Sequence, residues 1–222
     1  MDDPLLRLSF GNVAETYHRV RPPYSRQLLD RAQAALALDV HARVLDLAAG
    51  TGRLTHELAQ RFADVVAVEP DERMRAVHGT ALAGSAEAIP LADASCDLAF
   101  LYFVLHHFES RRAAGLELAR VVRPGGTVCI RTLFSDRLGD SSWRRFFPRA
   151  LEIESAMFPS LAEATADLAP GGLEVEALDE VTFELLSDEE VEQGLAAMER
   201  EAAVAGDEPV VERGDLLVLR RS

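Results

Sequence analysis

Two carboxylates stand 23 positions apart around a glycine turn. Asp46 lies at the end of the apolar run Val44–Leu47, directly before Ala48-Ala49-Gly50-Thr51-Gly52, and Glu69 closes the run Val65-Val66-Ala67-Val68. Glycines turn a chain tightly enough to leave backbone N–H groups bare at the next helix start, which suits a nucleoside-bearing cofactor. Carboxylates at strand ends accept hydrogen bonds from ribose hydroxyls and from an amine. His106 and His107 are the groups able to take a proton near neutral pH, if an acceptor must lose one. The other reading of that pair is structural histidines at a helix start. His18 is an outside candidate, whereas His41, His56 and His78 fall on expected surface turns or helix faces. The aromatic cluster Trp143, Phe146, Phe147 and Phe158 reads either as helix core or as the wall of an apolar pocket.

These residues need a frame to hold them. Apolar spacing predicts a helix over 25–38 (Leu28, Leu29, Ala32, Leu36, Leu38), a strand over 43–47 and a helix over 52–62 with Leu54, Leu58 and Phe62 on one face. A second strand spans 63–68, and Pro70-Asp71-Glu72 opens another helix, since proline and acids favour a first turn. A poorly patterned third strand surrounds 81–85, and a fourth covers 97–102. A helix from about 110 to 122 stops before Pro124-Gly125-Gly126, and a fifth strand covers 127–133. Strand and helix alternate five times, which predicts a parallel sheet with helices on both faces. Helices within 141–158 and over 160–169, a strand over 173–186, a helix from Ser187 to about Ala205 and a last strand over 215–220 follow.

Six segments occur in a telling order. They are Phe10-Gly11 with Tyr17 and Arg21-Pro22-Pro23-Tyr24; Val44–Gly52, a hydrophobic strand then D-x-x-x-G-x-G; Val65–Pro70 with Met74; Gly84–Leu91 with Asp93, Ser95 and Asp97; Leu105-His106-His107-Phe108; and Val121–Thr127. In this order, over residues 9–134, the chain resembles class I S-adenosylmethionine-dependent methyltransferases of the small-molecule type, a group that includes the quinone-biosynthesis C-methyltransferases. Two positions depart from the family pattern: Ala48 stands where glycine is frequent, and Ser85 where aspartate is.

The resemblance implies an α/β fold, a Rossmann-like doubly wound seven-stranded sheet. That sheet is mostly parallel with an antiparallel last strand, with helices on both faces and a helical lid or insertion. It implies one domain over 1–222: lid and helices over 1–40, cofactor core over 41–134, helical insertion over 135–160, then the end of the sheet with an acidic helix over 161–222. The cofactor is S-adenosylmethionine, leaving as S-adenosylhomocysteine. Gly50 and Gly52, with Ala48 in the same turn, let the backbone approach its methionine part, and Asp46 lies near its amino group. Glu69 accepts from both ribose hydroxyls, while Pro70 and Met74 pack on the adenine. Ser85 and the Ala86 N–H read the adenine edge, with Glu87 in the same stretch. Tyr102 and Phe103 line the sulfonium region. Tyr17 and Arg21 belong to a lid, Arg21 near the cofactor carboxylate.

The expected chemistry is in-line methyl transfer to a small, hydrophobic organic acceptor. Alignment and exclusion of water supply much of the acceleration, and no metal is required. Trp143, Phe146 and Phe147 are the acceptor-facing candidates. Two alternatives stay open: a protein that binds the cofactor without transferring a methyl group, and a methyltransferase acting on a protein. A nicotinamide dehydrogenase is disfavoured. Its motif needs a third glycine where Arg53-Leu54-Thr55 follows Gly52, and an apolar residue where Asp46 stands.

Composition narrows the field further. All 23 basic residues are arginine, which excludes lysine Schiff-base chemistry and a P-loop lysine. The net charge of −14 is a poor match for nucleic acid. Residues 151–222 hold 19 acids and 4 arginines, which reads as a solvated surface. Cys96 and Cys129, without a CxxC pattern, read as core thiols. No apolar run reaches the roughly 18 residues of a membrane span, and Met1-Asp2-Asp3 is unlike a signal peptide. The expectation is a soluble cytoplasmic protein, monomer or homodimer, that meets neither membrane nor nucleic acid.

Overall fold

The computed structural model describes Ala14, Leu29 and residues 39–138, 148–184 and 211–222. Continuous apolar runs build its centre. Strands β1 (Arg43–Leu47) and β4 (Cys96–Tyr102) are buried along nearly their whole length, as strands of a parallel sheet covered on both faces must be. Around them lie β2 (Asp64–Glu69), β3 (Leu82–Ala83), β5 (Val122–Thr132), β6 (Leu173–Glu184) and β7 (Val211–Arg221). The sheet has seven strands in the order β3-β2-β1-β4-β5-β7-β6. Pairing is parallel throughout, except that β7 runs antiparallel to both β5 and β6, between which it is inserted. The sheet is the one expected.

Helices cover both faces. On one, α1 (Arg53–Ala59) buries Leu54 and Leu58 against Val44, Leu98, Phe100 and Cys129. On the other, α3 (Arg111–Val121) and α5 (Leu161–Leu168) bury Ala114, Leu118, Ala164 and Leu168 against Leu45, Ala99, Leu101 and Ile130. Helix α2 (Glu72–His78) follows β2, and α4 (Pro148–Met157) precedes α5. A Cβ on Gly115 would lie 2.9 Å from Leu168 Cα, so α3 and α5 approach more closely than a side chain there permits. Arg111 joins these helices through Asp167 at 2.7 Å.

Several boundaries shifted: the first helix after β1 ends at Ala59 and the last strand begins at Val211. The third strand contracts to two residues, Leu82–Ala83. The fifth begins at Val122, because Val122 pairs with Cys96 and the exposed Arg123–Gly125 stretch bulges before pairing resumes at Thr127. Cys96 and Cys129 are buried thiols, and burial pushes Cys129 up to about 12. The helix expected over Ser187–Ala205 lies outside the described residues, as does most of the one over 25–38. Among the described residues, no helix is long and apolar enough to cross a membrane.

Candidate functional site

The strand order reverses between β1 and β4, and crevices at such a point, beyond the carboxyl ends of the strands, take ligands. Asp46, Glu69 and Phe103 all sit at that edge. The turn after β1 is held in left-handed backbone at Ala48 (φ 57°), Gly50 (φ 57°) and Gly52 (φ 84°). Among the described residues, space opens beside Gly50, where no atom other than those of its chain neighbours lies within 4 Å of the position a Cβ would take. Ala48 supports the turn at the steric cost that glycine would avoid.

Glu69 is buried, and its carboxylate reads two backbone donors. Oε2 accepts from Gly50 N–H at 2.8 Å and Oε1 from Asp71 N–H at 2.9 Å. A carboxylate offers about four acceptor sites, so two remain for ligand hydroxyls. Burial raises its pKa from the usual carboxylate range, and those two N–H groups oppose the shift. Asp71 caps α2 by accepting from Arg73 N–H and Met74 N–H. Met74 on that helix is buried, and Pro70 ahead of it is exposed. Arg75 closes the corner, donating to the carbonyls of Glu69 and Pro70 at 2.9 and 2.6 Å.

Asp46 is 2 % exposed. Burial first, and the neighbouring Glu69 charge, push it up to about 7, while a hydrogen bond from Thr55 Oγ1 to Oδ2 at 2.6 Å opposes the rise. Thr55 Oγ1 lies in turn 2.9 Å from His78 Nε2. The His78 ring packs on the glycine turn, since a Cβ on Gly52 would come 2.8 Å from its Cδ2. His78 therefore departs from the surface position expected of it. A cavity of about 570 Å³ opens beside it between α1 and α2, lined by Gly52, Thr55, His56, His78 and Thr80 among others. Of the expected cofactor contacts among the described residues, only Gly52 borders this cavity, and Glu69 does not line it.

Ser85 and Ala86 lie in a tight turn, with Ala88 N–H donating to Ser85 O at 3.2 Å. Arg120, unremarked in the sequence, clamps the next stretch to α3. Its guanidinium donates to Ile89 O (2.8 Å), Leu91 O (2.7 Å), Asp93 (2.8 Å) and Glu117 (2.7 Å). Glu117 also accepts from Ile89 N–H at 2.8 Å. Glu87 turns to α3 as well, accepting from Glu109 N–H at 2.9 Å and Ser110 N–H at 3.3 Å. Those bonds give its carboxylate a loop-tying role.

After β4 the chain takes left-handed backbone at Phe103 (φ 56°), and Phe103 N–H donates to Arg131 O at 2.7 Å. Leu101 pairs with Leu47, so Tyr102 and Phe103 emerge beside the turn at Ala48. The Phe103 ring meets Tyr102 (5.4 Å between centroids) and Phe158 (6.4 Å), with the buried Arg131 guanidinium 4.8 Å from its centre. His106 lies edge-on to Phe158 at 4.5 Å and against His107 at 3.9 Å. Burial, then the His107 charge, lowers His106 to about 3, and burial lowers the exposed His107 as well. Among the described residues no group hydrogen-bonds the buried His106 Nδ1. Tyr17, Arg21, His18, Trp143, Phe146 and Phe147 lie outside the described residues.

Comparison with known proteins agrees with this geometry. The family model described as "Methyltransferase domain" matches residues 45–130. An uncharacterized methyltransferase of Mycobacterium tuberculosis (strain ATCC 25618 / H37Rv) is 43% identical over 129 residues, 55% of this chain and 51% of that protein. A demethylmenaquinone methyltransferase of Mycolicibacterium vanbaalenii is 34% identical over 141 residues, 61% of this chain and 62% of that one. The matches to such curated relatives thus span about half to three-fifths of the relatives' length. An N-methyltransferase of Haemonchus contortus, solved with phosphomonomethylethanolamine and S-adenosylhomocysteine, shares the fold at 15% identity. Its TM-score is 0.66, over 95% of this chain and 57% of that one. Residues 45–130 match the methyltransferase-domain family, and sheet, motifs and relatives together support a class I S-adenosylmethionine-dependent methyltransferase.

Proposed function

We propose that the protein transfers a methyl group from S-adenosylmethionine to a small, apolar organic acceptor. One observation carries the reading: a buried glutamate at the end of β2 whose two oxygens are aimed by the Gly50 and Asp71 N–H groups, with acceptor capacity left over. The residues fit the cofactor. Glu69 would hold the ribose hydroxyls, Met74 and Pro70 the adenine face, Ser85 and Ala86 its edge, and Asp46 the amino group, with Gly50 leaving room for close approach. When bound, the cofactor supplies an electrophilic methyl carbon on a sulfonium sulfur. Tyr102 and Phe103 would offer aromatic faces to that positive charge. His106 is neutral at pH 7 and so adds no repelling charge there, and its Nε2, in the tautomer with the proton on the buried Nδ1, can accept a hydrogen bond from an acceptor hydroxyl or amine. Phe103 and Phe158 are apolar walls that exclude water.

Calorimetric titration with S-adenosylhomocysteine tests the binding half. Loss of charge-assisted hydrogen bonds worth about 1.5–3 kcal/mol weakens affinity about ten- to a hundredfold in Glu69→Ala. No binding to the folded wild-type protein sinks the reading. Release of S-adenosylhomocysteine with a panel of apolar phenols, enols and amines tests the transfer half, and separates an enzyme from a protein that only holds the cofactor.

A further inference from the structure

The Asp46–Thr55–His78 line has a direction. A backbone N–H can only donate, and Thr80 N–H points at His78 Nδ1 from 3.4 Å, with Thr80 Oγ1 at 3.3 Å. Nδ1 is then the accepting nitrogen, and Nε2 carries the ring proton. That proton goes to Thr55 Oγ1 at 2.9 Å, so the single hydroxyl proton of Thr55 is left to go to Asp46 Oδ2 at 2.6 Å. The ring is held in place by its packing on Gly52, where the glycine leaves room for it.

We propose that Thr55 and His78 are positioning residues that hold the Asp46 carboxylate ionised for a cationic ligand, so that Asp46 is usable near neutral pH although it is buried. The proposal rests on the S-adenosylmethionine reading for its ligand, whose ammonium is the cation Asp46 would meet. Its account of Asp46 stands in the free protein too. Burial and Glu69, facing from β2, favour the neutral acid; a donated hydrogen bond favours the carboxylate. Among the described residues, the other charged or titratable groups around His78 are Arg75 on its own helix, turned to the Glu69 and Pro70 carbonyls, and Arg53, His56 and Glu57 across the cavity on α1. Burial lowers the pKa of His78, which keeps it the neutral donor the line requires. Linked hydrogen bonds reinforce one another, so the imidazole strengthens what Thr55 gives Asp46.

Two measurements test this. In the ligand-free protein, the Asp46 carboxyl carbon is titrated by NMR, and the ring nitrogens of His78 report its tautomer. In parallel, S-adenosylhomocysteine affinity is measured by calorimetry across the same pH range. The Asp46 midpoint should rise by about one pH unit in Thr55→Val, a tenfold loss of affinity below the midpoint. It should rise by less in His78→Phe, which keeps a ring against Gly52, and return in Thr55→Ser. An unmoved midpoint in either of the first two variants, or a proton on Nδ1 of His78, overturns the assignment. Absence of S-adenosylhomocysteine binding at every pH sinks the functional reading instead, and the carboxyl titration alone then decides the positioning role.

Discussion

Glu69 and Asp46 are both buried acids, yet their surroundings divide their tasks. Both Glu69 oxygens face backbone donors, so Glu69→Gln is not conservative: its amide NH2 meets an N–H whichever way it turns. We expect Glu69→Gln to lose S-adenosylhomocysteine affinity about as severely as Glu69→Ala. For Asp46 the sign follows from its raised pKa. The folded state keeps a proton that the unfolded chain has released above its usual pKa, so this group costs stability as pH climbs from about 4 to about 7. Asp46→Asn should therefore melt higher than wild type at pH 8, with the gap closing below about pH 4, while cofactor affinity falls. Scanning calorimetry at the two pH values checks it. Ala48→Gly should stabilise by about 0.5–1 kcal/mol in urea titration, since relief of left-handed strain exceeds the added chain entropy. Of these residues, Asp46, Glu69 and the glycines were legible because strand-end acids and glycine turns announce themselves locally. In the sequence Thr55 stands only where a third glycine would, and His78 reads as a residue of a surface turn or helix face. They stand 23 positions apart on separate helices, and only the folded chain brings hydroxyl and imidazole together.

At the scale of elements, the adenine-edge stretch is held mainly by one side chain. Arg120 reaches two carbonyls and the Asp93 carboxylate in the β3–β4 connection, and Glu117 of its own helix, which also bonds its guanidinium, holds the Ile89 N–H beside it. Arg120→Ala leaves Ile89 and Leu91 carbonyls without this donor. With hydrogen bonds to charged groups at about 1.5–3 kcal/mol each, part of it recovered by water, we expect a loss of about 2–3 kcal/mol in urea unfolding. Faster amide exchange should be confined to residues 84–93. An unchanged exchange pattern would remove the clamp. The stop at Pro124-Gly125-Gly126 marked the end of α3, but no pattern separates Arg120 from an arginine on a solvated face. Strands β1, β2 and β4 were legible to within a residue, because fully covered parallel strands are unbroken apolar runs. The start of β5 was not, because Pro124-Gly125-Gly126 reads as the end of a turn when it is a bulge inside a strand.

For the whole molecule, the fold order is the ordinary consequence of alternating strands and helices, whereas the charge is not. Residues 151–222, with 19 acids against 4 arginines, carry the whole of the net negative charge. Screening it relieves self-repulsion, so the melting temperature should rise between low salt and about 0.5 M NaCl. The acceptor is the part of the reading on which the cofactor motifs are silent, since the turn, Glu69 and the adenine stretch concern only the donor. Insertion of β7 between β5 and β6 has a consequence for the newborn chain. When β6 emerges from the ribosome, its place beside β5 is reserved for a strand not yet made. Residues 173–184 must wait until 211–221 have cleared the exit tunnel, and until then β5 presents an open edge to any passing chain. The cofactor half can be complete while the nascent polypeptide still depends on chaperones to keep that edge from the wrong partner.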